Sequence, residues 1–239
     1  MRFRHLRRAT IILALIFIAY VAVRDVARRH PENLPWTPLS LLQPVGMFTG
    51  AKLSRLAEDT PQCTALLGAA GVGFTALPPL RRDQCGYDNG FTLEPGGSFA
   101  TQFDPASPGV SCPVAAALVM WERQVVRPAA LRHFGAALAS IEHFGTYNCR
   151  RIAGRSGWSE HATANAIDIA GFIMADGERV RVLAGWTGPP ATAAFLREVR
   201  DGACEVFATV LSPDYNAAHA DHLHLDQARR GGGGGGYCR

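Results

Sequence analysis

In 239 residues, 24 Lys and Arg stand against 20 Asp and Glu, a formal net charge of +4, and only 18% of the chain is charged. The excess shrinks once the arginines of the first eight residues are set aside, and no clustered basic face of the kind that nucleic-acid binding requires is visible, so no nucleic-acid partner is expected. About 190 residues follow the N-terminal segment and its linker, enough for one sizeable core or for a small domain with an extension.

The N-terminus directs the chain to a membrane. Arg2, Arg4, Arg7 and Arg8 mark residues 1–8 as a basic cytoplasmic N-terminus, and an almost wholly apolar run, 9–23, follows and is closed by Arg24. At helical rise that run spans about 22 Å, short of a hydrocarbon core of about 30 Å, and the flanking arginine side chains can snorkel across the difference. No clear small-x-small cleavage site follows, so the run is read as an uncleaved single-pass signal anchor rather than a removed signal peptide. On either reading the rest of the chain leaves the cytoplasm.

Residues 24–50 are a proline-rich linker. Pro31, Pro35, Pro38 and Pro44 predict an extended tether, with Trp36 and Leu39–Leu42 as candidates for docking on the fold. Residues 51–110 read as an N-terminal extension of the domain. A helix over 52–67 is interrupted by Pro61, a short strand from Gly71 stops at Pro78-Pro79, and glycine and proline mark loops and short strands from 83 to 108.

Residues 111–239 carry the clearer periodicity. Ser111 is placed to cap a helix with Pro113 in its first turn, and Val114, Leu118, Trp121 and Val125 recur at three- and four-residue spacing until Pro128 ends it or kinks it into a continuation over Ala129–Phe134. Residues 139–147 alternate as a strand. In a buried strand over 164–172, Ile167 and Ile169 point one way while Ala166, Asp168 and Ala170 point the other. A turn at 175–178 leads to a strand over 179–183, an amphipathic helix spans 191–211, and His222 and His224 share one face of a last strand, 222–226. The class is α+β, a small antiparallel sheet flanked by helices. Gly231–Gly236 is a low-complexity insert lengthening a surface loop.

The six cysteines, Cys63, Cys85, Cys112, Cys149, Cys204 and Cys238, form no CxxC pair, and an even count in an exported chain indicates disulfides. The simplest pairing is sequential: 63–85, 112–149 and 204–238.

Ser159-Glu160-His161, Asp168 and Asp221-His222-Leu223-His224 bring together imidazoles and carboxylates. Two neutral imidazoles and one carboxylate on zinc leave a fourth position open, the arrangement of a catalytic site. The helical His-Glu-x-x-His signature is absent, so this is another class of zinc site. Asp168, a carboxylate in an otherwise apolar strand, needs a partner, and a metal supplies one. Taken singly, a histidine is ordinarily a surface or satisfied core residue. His133, His143 and His219 are assigned so, and Asp226 is read as capping a strand end.

The same residues carry a family resemblance. Ser159-x-His161, Asp168 and His222-x-His224 resemble the superfamily of lysostaphin-type, D-Ala-D-Ala and hedgehog-type zinc peptidases. Within it, Cys112-Pro113, Tyr147-x-Cys149-Arg150, Asn165-Ala166-Ile167-Asp168, the stretch from Asp214 to Asp226, and Tyr237-Cys238-Arg239 resemble the bacterial extensin-like C-terminal family. The resemblance implies a small antiparallel sheet carrying Zn2+ on His161, Asp168 and His224. It implies Asp221, three residues before the last ligand, as the base that takes a proton from the attacking water, with His222 assisting or taking that role itself. Arg150 or Arg151 would stabilise the oxyanion or bind a substrate carboxylate, and Ser159 and Glu160 would contact substrate.

With an export signal, these implications lead to one expectation. The chain would be a zinc peptidase of the bacterial inner membrane with its catalytic domain in the periplasm, cutting peptidoglycan stem peptides as an endopeptidase or carboxypeptidase. The alternative is a zinc-containing wall-binding or scaffolding domain without chemistry.

Overall fold

The N-terminal helix does not stop where the apolar run does. In the computed structural model, which describes residues 2–229 and 236–239, α1 runs from Arg2 to Arg29 and its apolar side chains lie exposed. Its stretch Phe3–Arg29 is long and apolar enough to cross a membrane.

Beyond it, the proline-rich stretch is not a free tether. Pro31–Asn33 make one 3-10 turn, and the following residues form a strap on the domain. Leu41 is buried in the core, whereas Trp36 stays exposed. Lys52 Nζ donates to Pro31 O and Thr37 Oγ1, both at 2.9 Å, while Gln124 accepts from Val45 N and donates to Gln43 O. Burial of a leucine and satisfaction of these carbonyls offset the entropy of ordering the strap.

The next elements are α2 (Thr49–Arg55), α3 (Thr60–Ala69), β1 (Gly73–Ala76), β2 (Leu80–Arg82), β3 (Cys85–Tyr87), β4 (Gly90–Glu94), β5 (Gln102–Asp104) and β6 (Gly109–Ser111). Asp59 caps α3 by accepting from Gln62 N, which lets Pro61 sit harmlessly in the first turn. Strands β1, β4 and β6 form a three-stranded sheet, and β2 and β3 a separate hairpin.

Helix α4 (Cys112–Trp121) is buried on every side, not along a stripe, so it is the central helix of the core. Ser111 precedes it without a capping bond from its side chain; its hydroxyl goes instead to Asn165 Oδ1 at 2.7 Å. The helix passes through a π-turn, Glu122–Val126, into α5 (Arg127–Phe134), so Pro128 neither ends nor breaks it. Gly135, at φ +67°, closes α5 in the left-handed conformation.

The chain continues through β7 (Leu138–Gly145), β8 (Ala166–Met174), β9 (Arg179–Arg181), α6 (Val182–Gly185), α7 (Pro190–Ala203), β10 (Thr209–Leu211), β11 (Leu223–Asp226) and β12 (Tyr237–Cys238). The fold is α+β, but the principal sheet is larger than expected. Among the described residues seven strands take part, in the order β12-β10-β11-β8-β7-β5 with β9 beside β8. The middle pairs are antiparallel, and the edge pairs β5–β7 and β10–β12 are parallel. Trp121 ties α4 to α7 by donating its indole N–H to Val199 O at 2.8 Å.

The boundary expected at residue 111 does not divide the core. Leu41, Leu53, Phe91 and Phe99 belong to the same buried cluster as Trp121, Ile169 and Leu225. The helix expected to reach 211 ends at Ala203. Cys204 is bonded to Cys238 there, and the β-branched Thr209-Val210 completes the sheet against β11.

Two of the three expected disulfides are wrong. The bonds are Cys63–Cys112, Cys85–Cys149 and Cys204–Cys238. Sequence proximity is a poor guide because loop closure costs little more for a longer loop. Packing of α3 on α4 brings Cys63 and Cys112 to a Cα separation of 6.1 Å, within bonding reach. Of the glycine insert Gly231–Gly236, only Gly236 falls within the described residues.

Candidate metal centre

Strand register builds the first half of the centre. Asp168 on β8 lies directly opposite His224 on β11, and directly opposed residues share a face. The other face of both strands, with Ile167, Ile169, Leu223 and Leu225, is buried in the core. The two polar groups are therefore held by an apolar sheet that cannot slip register without exposing it.

His161 arrives from a 3-10 turn, Glu160–Thr163. Ser159 Oγ accepts from His161 N at 3.3 Å, Glu160 Oε2 accepts from Asn165 Nδ2 at 2.6 Å, and Ala164 leaves the turn at φ +54°. Ser159 and Glu160, expected to contact substrate, thus have a definite part in shaping the turn that delivers His161.

The three side chains converge. His161 Nε2 lies 3.2 Å from His224 Nδ1 and 3.2 Å from Asp168 Oδ1, and His224 Nδ1 lies 2.9 Å from Asp168 Oδ1. A tetrahedral ion with bonds of about 2.0–2.1 Å has ligand–ligand edges of about 3.3 Å. The ring nitrogens are also oriented for such an ion. His161 Nδ1 donates to Thr146 O at 2.7 Å and His224 Nε2 donates to Asp226 Oδ2 at 3.1 Å, so in the neutral rings the nitrogens facing Asp168 carry the lone pairs. Together these residues fit a metal ion.

Burial alone would raise the Asp168 carboxyl, but hydrogen bonds with His161 and His224 outweigh it and hold it far below the ordinary carboxylate range. Burial would likewise lower His224, but hydrogen bonds to Asp168 and Asp226 raise it to about 9.

Beside this trio, Asp221 sits in the turn before β11, not on the strand. Its Oδ1 accepts from His222 Nδ1 at 2.8 Å, and His222 Nε2 comes within 3.6 Å of Asp168 Oδ1. Lying in the turn, Asp221 is free of the strand's alternation and reaches the ring of its neighbour His222.

The two arginines separate. Arg151 stacks over Trp158, 4.6 Å from the ring centroid, and donates to Ser156 O. Arg150 has an exposed side chain, its carbonyl accepts from Ser159 N at 3.1 Å, and its charge reaches His219.

Two contributors went unread in the sequence. Asp226, taken for a strand-end cap, orients His224; its position two residues beyond on the same strand face was the available signal. His219, taken for a surface or satisfied core histidine, lies with its ring 5.1 Å from that of His222 and 6.1 Å from that of His224. Asn216 Oδ1 already accepts from Ala218 N, so His219 Nδ1 donates to it, at 2.7 Å. Burial, then the neighbouring His222 and His224, lower His219 to about 4. Nothing in its spacing distinguished it. His143 is a core residue, donating from Nε2 to Pro105 O at 2.8 Å.

No curated protein and no solved structure matches this chain significantly. The family model described as extensin-like protein C-terminus matches residues 61–239, a span that holds all three converging side chains, the Asp221–His222 pair and the three disulfides, and the chain belongs to that family.

Proposed function

We propose that this protein is a zinc-dependent peptidase of the bacterial cell wall, hydrolysing peptide bonds in peptidoglycan stems or cross-links. One observation carries the reading: two imidazole lone pairs, each oriented by a partner of its own, meet a carboxylate beside an aspartate–histidine pair. His161, Asp168 and His224 would hold the ion. A zinc ion bound there supplies Lewis acidity toward the scissile carbonyl and the attacking water.

The chain's own groups manage the protons. Asp221 fixes His222 in the tautomer with a proton on Nδ1, leaving Nε2, the nitrogen turned toward Asp168, to accept a proton from the attacking water. The carboxylate of Asp221 stabilises the imidazolium that results, and His222 Nε2 then returns the proton to the leaving amine. Arg150, exposed and bonded through its carbonyl to the His161 turn, would answer negative charge on the substrate or the oxyanion.

The location fits this chemistry. Helix α1 would anchor the chain in the inner membrane with the domain in the periplasm, an oxidising compartment that suits three disulfides. The test is digestion of purified muropeptides by the zinc-loaded chain, with products identified by mass. New products that disappear on chelation support the reading. Stoichiometric zinc with no product from any muropeptide would replace it with a wall-binding module.

A further inference from the structure

The hairpin β2–β3 and the loop 149–158 come from distant parts of the chain, yet the Cys85–Cys149 disulfide joins them at a Cα separation of 5.7 Å. Arg82 pairs with Cys85 across the hairpin and Arg81 with Gly86, while Arg150 follows Cys149 directly and Arg155 sits at the tip of the same loop. All four side chains are exposed, and none pairs with a carboxylate among the described residues. Elsewhere on the domain Arg132 pairs with Glu198, Arg179 with Glu142 and Arg229 with Glu58, while Arg55 on α2 has no carboxylate partner among the described residues. Two exposed acids, Asp83 and Asp88, stand in the hairpin segment, and loop 149–158 has none.

This basic cluster adjoins the candidate metal centre. Strand β3 packs against the Glu160–Thr163 turn that carries His161, and Ser159 N binds the Arg150 carbonyl. The disulfide thus does more than close a loop: it ties the hairpin that carries Arg81 and Arg82 to the residue that precedes Arg150.

We propose that Arg81, Arg82 and Arg155, with Arg150, form a carboxylate-binding rim that engages free carboxylates of the wall peptide on either side of the bond presented to the metal centre. Guanidinium groups suit planar carboxylates because they offer paired N–H donors, and unpaired arginines have no internal contact to give up. The proposal rests on the peptidoglycan reading for the identity of the ligand, but not on cleavage.

Its test is co-sedimentation of the full chain, in detergent micelles, with purified sacculi at several salt concentrations. Native sacculi are compared with sacculi whose carboxyls have been amidated with carbodiimide and ammonia. Arg81→Ser/Arg82→Ser is expected to weaken binding to native sacculi about tenfold, amidation to weaken the wild type by a similar factor, and the two losses not to add. Arg155→Ser should move binding in the same direction, from a loop that shares no backbone with the hairpin. A double variant of equal charge elsewhere, Arg132→Ser/Arg229→Ser, should bind as the wild type does. Unchanged binding by the rim variant, equal loss in both double variants, or tighter binding to duplex DNA than to sacculi would overturn the proposal. Sacculus binding that obeys the rim without any cleavage would sink the peptidase reading and leave the rim standing. Cleavage and binding indifferent to the rim would do the reverse.

Discussion

Asp221 Oδ1 accepts a hydrogen bond from His222 Nδ1 at 2.8 Å, so two neighbours that competed in the sequence for the role of base form one unit in the structure. The aspartate sets the tautomer and the histidine presents the accepting nitrogen. His222→Ala is expected to lower kcat roughly 10²–10⁴-fold. Asp221→Ala should fall in the same range, and the double variant should be no slower than the worse single. Additive losses in the muropeptide assay would show two independent groups and discard the pair.

Asp226 acts through His224. In Asp226→Asn the partner of His224 Nε2 loses its charge, and zinc affinity should drop roughly 10–100-fold, with the fold intact by circular dichroism. Competition with a chromogenic chelator measures it. Unchanged affinity would reduce Asp226 to the strand-end role its sequence position suggested.

Away from the site, Glu122 is fully buried in the π-turn. Thr101 donates to its Oε1, Arg127 Nε stands 3.8 Å away, and Oε2 has no hydrogen-bond partner. Burial, only partly countered by Thr101 and Arg127, raises its carboxyl above the ordinary glutamate value of 4.5. As pH rises past 4.5 the unfolded chain releases this proton first, so stability declines until the folded carboxyl ionises as well. Glu122→Gln should therefore raise Tm by roughly 2–5 °C near neutral pH, with the gain vanishing at acidic pH. Thermal melts across the range check this, and a gain independent of pH would contradict the assignment.

The candidate site was legible through the family resemblance, which implied His161, Asp168 and His224 as a set, and short-range rules supplied part of it. Alternation along β8 put Asp168 on the face opposite Ile167 and Ile169, and β11 carried His224 as a residue able to meet it. What was not legible depends on tertiary packing. The pairing of Cys85 with Cys149 follows from where a hairpin lands, not from spacing, and the basic rim it creates was invisible while Arg81 and Arg150 stood far apart in the chain. The strap around Leu41 looked like a tether because prolines favour extended chain whether or not it is docked. The helix expected to reach 211 shows local periodicity yielding to an open sheet edge at Thr209–Leu211.

The most direct measurement is a zinc titration of activity. The metal-free chain is supplied stepwise with zinc, and hydrolysis of one synthetic stem peptide is followed by mass at each step. Activity should be absent at the start, rise in proportion to zinc, and level off at one equivalent, with Asp168→Asn failing to respond. Hydrolysis without zinc, or a full equivalent bound with no hydrolysis of any stem peptide, would contradict the account.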